Sequence, residues 1–232
     1  MTQNIILSVI LPAYQEEDNL KLLLPRIHLA VEKLSVPYEI LVVDTQRPMD
    51  KTESVCKENV VKYINREGGN NYGDAIRTGI KLALGKNIIF MDADGSHTPE
   101  FIVDLFANRS NYDVVVASRY VTGGKTENNK VLIMMSLVLN VIYSVVLNLK
   151  CKDVSNSFKL YHTDQLKKIV LKCNNFDIVE EIFLKLKRNK SDLKILELPY
   201  CFKQRIFGKT KRNLFVFILS YIYTIIKLRF SK

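Results

Sequence analysis

The chain's 232 residues, 47% of them hydrophobic and 25% charged, suffice for one sizeable domain with a full core or one domain plus an appendage and exclude a disordered chain. No Gly/Ser linker, low-complexity run or internal repeat divides them. The net charge of +10 is lopsided: residues 1–116 carry 12 Lys and Arg against 16 Asp and Glu, a net of −4, and residues 117–232 carry 22 against 8, a net of +14. That asymmetry points to a phosphate-bearing partner on the basic side.

In chain order, the polar N-terminus moves quickly into an apolar run and does not read as a signal peptide. Ile5 to Leu11 has the length of a strand, and Pro12-Ala13-Tyr14-Gln15-Glu16-Glu17 follows as a loop. A helix is expected from Asp18 to about Leu34, with Pro25 limiting its first turn. Glu39 to Val43 reads as a second strand ending in Asp44, residues 50–58 as a helix, Val60 to Ile64 as a third strand and Gly73 to Leu84 as a helix. The glycines of Gly68-Gly69-Asn70-Asn71-Tyr72-Gly73 precede that helix as a phosphate cradle would, although they match neither the dinucleotide fingerprint nor the P-loop.

The run Ile88-Ile89-Phe90-Met91 then ends in Asp92-Ala93-Asp94, and Ser96 or Thr98 before Pro99 and Glu100 starts a helix to about Ala107. Two carboxylates at the end of a buried strand suit a hard divalent cation, which also takes oxygens from a substrate's phosphates; the bland alternative is a capped turn. A strand over Asp113 to Ala117 completes the alternation. Alternating strands and helices indicate a parallel sheet covered on both faces, whose ligands bind beyond the carboxyl ends of its strands. That rule puts Pro12, Tyr14, Glu16, Asp44, Asp92 and Asp94 on one rim. His97 reads as a brace for the turn beside Asp94, and His28 and His162 have no nearby constellation.

Beyond Ser118-Arg119-Tyr120 the chain turns apolar. Val131 to Leu149 holds no charge over 19 residues, which suits an interfacial helix better than a full membrane crossing, with a buried core helix as the alternative. A second apolar helix is expected over 213–230, just after Arg205, Lys209, Lys211 and Arg212; an apolar helix beside a basic cluster suits an anionic membrane surface. Cys56, Cys151, Cys173 and Cys201 lie far apart and read as free thiols of a reducing compartment.

These pieces together resemble glycosyltransferase family 2, most closely its dolichyl-phosphate mannose synthase branch. The resemblance lies in Leu11 to Leu20, Val42-Val43-Asp44, Tyr72 to Arg77, Met91 to Glu100, Ala117 to Tyr120, Asp153 to Tyr161 and Phe202 to Lys211. It implies a GT-A fold over residues 1–212, a nucleotide-sugar donor with GDP-mannose favoured, Mg²⁺ or Mn²⁺, and a polyprenyl phosphate acceptor. It implies further a place on the cytoplasmic face of a membrane, peripheral or anchored by the C-terminal helix, with a small membrane-anchoring subunit as a partner and no nucleic acid. Pro12, Tyr14, Glu16, Val43, Asp44 and Thr45 would line the nucleotide pocket. Asp92, Ala93 and Asp94 would hold diphosphate and metal, with Asp94 the direct ligand and Ser96 nearby. Arg119 would lie near the donor phosphates, Arg205 and Lys211 on a mobile loop over the site, and Lys159 at the acceptor phosphate.

The chain departs from the family at Thr45 to Asp50, where a second acid and a Ser/Gly-rich turn are usual. Asn156-Ser157-Phe158-Lys159 stands for small-Gly-Phe-Arg, and Asp74 stands where a small residue is usual. A phosphate acceptor is already largely ionised at neutral pH, with a second pKa of about 6, and needs no general base. A hydroxyl acceptor would need one, for which Asp153, Glu180 and Glu181 are the candidates. A nucleic-acid-binding protein and an inactive scaffold are the remaining readings; no interleaving of basic and aromatic residues favours the first.

Overall fold

The structure, a computed structural model, describes residues 4–207 and Thr224. A seven-stranded sheet runs through it in the order β3-β2-β1-β4-β7-β5-β8. Its strands are β1 (Leu7–Pro12), β2 (Tyr38–Asp44), β3 (Lys62–Asn65), β4 (Asn87–Phe90), β5 (Val114–Ser118), β7 (Lys159–His162) and β8 (Ile195–Pro199). β6 (Lys125–Thr126) and β9 (Cys201–Phe202) form a separate parallel pair. All pairings in the main sheet are parallel except those of β7, which runs antiparallel between β4 and β5. The helices are α1 (Glu17–Glu32), α2 (Thr52–Glu58), α3 (Tyr72–Leu82), α4 (Ile102–Ala107), α5 (Lys130–Val146), α6 (Thr163–Lys167) and α7 (Ile178–Asn189), with a 3₁₀ turn at Pro99–Phe101 leading into α4. This is the expected GT-A-like α/β fold around a mostly parallel sheet.

The strand pleat distributes the core. Leu7, Val9 and Leu11 pack with Val42, Ile89 and the buried stripe Leu20, Leu23, Leu24, Ile27 and Val31 of α1, together with Ile102, Leu105 and Phe106. Ile10, Leu41, Val43, Ile88 and Phe90 face the other way, onto Ala75, Ile76 and Ile80 of α3 and Ile182, Phe183 and Leu186 of α7. Both faces are covered, so the central strands β1, β2, β4 and β5 are mostly apolar and buried along their length.

Two expectations need correction. Pro25 lies inside α1 rather than limiting its first turn. An interior proline costs about 3 kcal/mol, but Pro25 is on the exposed side, so water can serve the freed carbonyl while the leucine stripe carries the helix. The glycines at 68 and 69 do not form an open phosphate cradle. The Asp74 carboxylate fills that space, closing a capping box with Asn71 and pairing with Arg77 at 2.6 Å.

The apolar run 131–149 folds as α5, capped by the Asn129 side chain on the Leu132 amide. Leu139, Asn140 and Tyr143 are buried, while Val131, Met134, Val138, Val141 and Val145 are each more than half exposed. Seventeen helical residues span about 25 Å, short of the roughly 30 Å hydrocarbon core of a bilayer. Among the described residues no helix is long and apolar enough to cross a membrane. The expected helix over 213–230 and Lys211 lie outside the described residues, except for Thr224, whose hydroxyl donates to Asp177 at 3.0 Å.

Candidate active site

β1, β2, β4 and β5 direct their carboxyl ends to one rim, as the alternation requires. After Pro12 the Ala13 amide donates to the Val43 carbonyl at 2.9 Å, and Gln15, at φ +57°, turns the chain through Glu16 into α1. Tyr14 is 44% exposed, whereas Val43, Asp44 and Thr45 at the end of β2 are closed over and form the floor. Burial raises the pKa of Asp44, which accepts a hydrogen bond from the Tyr63 hydroxyl at 3.1 Å.

Arg66, which the sequence reading missed, holds this floor together. Its guanidinium is buried and donates to the carbonyls of Asp44 (3.0 Å), Asn70 (2.9 Å), Asn71 (3.0 Å) and Ala13. One side chain therefore ties together the ends of β1 and β2 and the loop before α3. Its sequence signal is slight: a basic residue directly after a short strand and before a glycine pair.

The turn after β4 presents the two aspartates differently. Oδ1 of Asp94 accepts from the Ser96 amide (3.0 Å) and hydroxyl (2.6 Å), while Oδ2 accepts from Nη2 (2.8 Å) and Nε (3.3 Å) of Arg205. The same Nη2 lies 3.8 Å from Glu16. Asp92 has neutral neighbours: its Oδ1 accepts from the hydroxyls of Ser157 (3.0 Å) and Tyr72 (3.3 Å), and Tyr72 is stacked on Phe176 at 4.1 Å. The Asp92 amide donates to Nδ1 of His97 at 2.9 Å, and Nε2 of the same ring faces Asn156 Oδ1 at 3.2 Å, which assigns the proton to Nε2. His97, fully buried and stacked on Phe158, is thus the expected brace, acting on Asp92.

Burial lifts the Glu16 carboxyl to about 7; the Asn19 amide and Arg205 pull it down, and the charges of Asp94 and Asp92 push it further up. Burial also acts to raise Asp94, but the bonds from Ser96 and Arg205 outweigh it and hold the carboxyl below its usual range.

The structure brings Tyr14, Glu16, Asp92, Ala93, Asp94, Ser96 and Arg205 to the rim, with Pro12 ending β1, and corrects one of the cations. Lys159 does not reach an acceptor: it is fully buried, donates to the Val154 carbonyl at 2.6 Å and lies 4.4 Å from the Phe183 ring centre. Burial pulls its ammonium down to about 8 despite Cys151, Asp153 and Glu180 nearby. Arg119 is committed to Asp153, to which Nε (2.8 Å) and Nη2 (2.6 Å) donate as a fork. Behind that pair, Ser155 accepts from Arg119 (3.1 Å) and from Asn140 of α5 (3.0 Å). The three carboxylates considered as bases for a hydroxyl acceptor are all buried: Asp153 and Glu180 at 0% and Glu181 at 2% exposure.

Among the described residues no three His, Cys, Asp or Glu side chains converge as a ready-made metal cage. Mg²⁺ and Mn²⁺ do not require one beside a nucleotide, since one or two carboxylates plus phosphate oxygens and water complete their shell. The residues present fit such an ion. Asp94, Ser96 and Asp92 offer hard oxygens, and a positive charge, the Arg205 guanidinium, already stands on Asp94.

Residues 8–170 match the family model for glycosyl transferase family 2. The chain is 32% identical over 230 residues to the dolichol-phosphate mannosyltransferase of Pyrococcus furiosus, covering 95% of this chain and 63% of that protein. It therefore spans less than two thirds of that relative's length. It is 29% identical to the polyprenol monophosphomannose synthase of Mycolicibacterium smegmatis (88% and 80% covered) and 28% identical to the undecaprenyl-phosphate mannosyltransferase of Micrococcus luteus (88% and 86%). Among solved structures, glucosyl-3-phosphoglycerate synthase from Mycobacterium tuberculosis with Mn²⁺, UDP and phosphoglyceric acid superposes with a TM-score of 0.75 at 15% identity, covering 98% of this chain and 80% of that one. The same enzyme with Mg²⁺ and UDP gives 0.74 at 16% identity, with 97% and 79% covered. At such identities the likeness is one of fold.

Proposed function

The chain belongs to glycosyltransferase family 2, and from that membership we propose that it transfers mannose from GDP-mannose, with inversion, to a polyprenyl phosphate at a membrane surface. The names of the three relatives support a mannosyl donor and a polyprenyl phosphate acceptor. The observation that carries the reading is the joint placement of Asp94, Ser96 and Arg205: an oxygen set for a cation, with a guanidinium directly over it. Tyr14 and the Val43–Thr45 floor form the nucleotide side of the site, and Arg66 keeps that floor rigid.

Asp94 and Ser96, with Asp92 beside them, would hold the divalent ion, which when bound supplies charge to offset that growing on the departing diphosphate. The chain's own residues do the rest. Ser157, Tyr72 and His97 fix Asp92, so its carboxylate does not reorganise during the reaction. Arg205 offsets the repulsion between the acceptor's phosphate and the donor's. The phosphate attacks the anomeric carbon directly, from the face opposite the leaving group, and no base is required. The exposed face of α5 is the surface we assign to the membrane, at its interface rather than across it.

A second reading, transfer to a saccharide or lipid hydroxyl, is favoured by one observation: Glu16, with a pKa raised to about 7, would suit a general base. Incubation of the full chain with GDP-mannose, Mn²⁺ and either polyprenyl phosphate or hydroxyl acceptors separates the two. An organic-soluble mannosyl phosphate supports the first reading, and product on hydroxyls alone overturns it. Asp94→Ala should lower the transfer rate at least about a hundredfold and abolish its dependence on Mn²⁺.

A further inference from the structure

We propose that Arg205 is the resident cation of the Asp94 site, and that guanidinium and divalent ion are alternative partners of the same carboxylate. The inference rests on the metal-assisted reading above and adds how the ion gains entry. A carboxylate offers about four acceptor positions, and all those of Asp94 are filled. Oδ1 takes both the amide and the hydroxyl of Ser96, and Oδ2 takes Nη2 and Nε of Arg205. An arriving ion must displace one set. Ser96 belongs to the same tight turn, two residues along the chain, and cannot leave without unfolding it. Arg205 is 31% exposed and stands on a short strap, so it is the one that leaves. Two positive centres sharing one carboxylate would also repel each other strongly at this separation.

The strap is built to hold the guanidinium there until it is displaced. The Lys203 amide donates to the Ser96 carbonyl (3.1 Å) and the Ile206 amide to the Asp94 carbonyl (2.9 Å). Asn19 grips the far end: its Oδ1 accepts from the Phe207 amide (3.1 Å) while its Nδ2 faces the Phe207 carbonyl (3.5 Å) and Glu16 (2.5 Å). Ile206 lies against Gly95, where a Cβ would come within 2.5 Å of the isoleucine side chain. Behind Arg205, Lys203 (2.7 Å) and Gln204 (3.2 and 3.0 Å) are tied to Glu127, so the base of the strap is fixed and only the Arg205 side chain and its contacts with Asp94 have to yield to an ion of double charge. Displacement of Arg205 from Asp94 leaves a cation beside Glu16, free to meet an incoming phosphate.

The test uses Mn²⁺ alone on the full chain, without nucleotide or acceptor, so its outcome is independent of which sugar or acceptor the enzyme uses. Titration followed by electron paramagnetic resonance should show Arg205→Gln binding Mn²⁺ about tenfold more tightly than the wild type, the equivalent of one lost competing charge contact. Arg205→Lys, which keeps the charge, should stay near the wild type. Asn19→Ala, which releases the Phe207 end of the strap and also removes the bond to Glu16, is read in a Glu16→Gln background, where it should tighten binding about two- to threefold; it carries the test should Arg205→Gln fail to fold. In the wild-type chain, Mn²⁺ should accelerate tryptic cleavage after Arg205, mapped by mass spectrometry. Equal or weaker Mn²⁺ binding by the uncharged variant, or cleavage after Arg205 that Mn²⁺ leaves unchanged, overturns the proposal.

Discussion

Arg119 and Arg205 each face an aspartate across the same rim, yet the surroundings make them different objects. Arg119 is backed by Ser155 and by Asn140 of α5, its side chain is 9% exposed, and its fork closes on an aspartate fully out of water. Arg205 stands on a strap of a few residues, with solvent on one side and two carboxylates on the other. A guanidinium enclosed with its partner is part of the framework. One on the surface of a turn is available for exchange.

The comparison can be broken most sharply through stability. Arg119→Ala strands the Asp153 charge in the interior and should cost about 3–5 kcal/mol in urea unfolding, whereas Arg205→Ala should cost about 1 kcal/mol or less. Similar losses for both would erase the distinction. Asn140→Ala removes the support from behind by breaking the bonds to the Ser155 amide and hydroxyl, and should cost about 1–3 kcal/mol in the same measurement. No loss would mean that Arg119 is held by Asp153 alone.

The smallest effect concerns Arg205's second carboxylate. Glu16 has a folded-state pKa of about 7 against an ordinary 4.5, so the folded chain binds more protons than the unfolded one between those values. Its contribution is therefore fully favourable below about pH 4.5 and is lost as the pH rises through 7. Glu16→Gln should melt above the wild type at pH 8 in the absence of divalent ions, and the gap should close towards pH 5. A gap that does not change with pH would remove Glu16 from the charge cluster.

Local chemistry made part of this molecule legible. β1, β2 and β4 are apolar runs ending in rim residues, and Asp92-Ala93-Asp94 before Ser96 and Pro99 declares a turn by its own composition. Other features depend on partners distant in sequence. Arg119 meets Asp153 across 34 residues, and Arg66 owes its role to carbonyls on three separate segments. Neither leaves a spacing to read. The resemblance puts Lys159 at the acceptor phosphate because it keeps the charge of the family's arginine; the pleat of β7 instead turns it inward, on the face opposite Phe158 and Leu160. The reversed direction of β7 is likewise invisible in the sequence, because a strand of four residues, Lys159 to His162, carries no mark of its sense.

That reversed strand has a consequence for how the molecule accommodates change. β5 finishes at the ligand edge and β7 begins there, so the chain from Arg119 to Phe158 departs and returns on the same side, like a handle riveted at both ends. Between β6, which pairs with β9, and Asp153, residues can be added to or taken from that handle without shifting the pairing of any strand of the main sheet. The excursion can thus vary in length while β1, β2 and β4 keep their spacing.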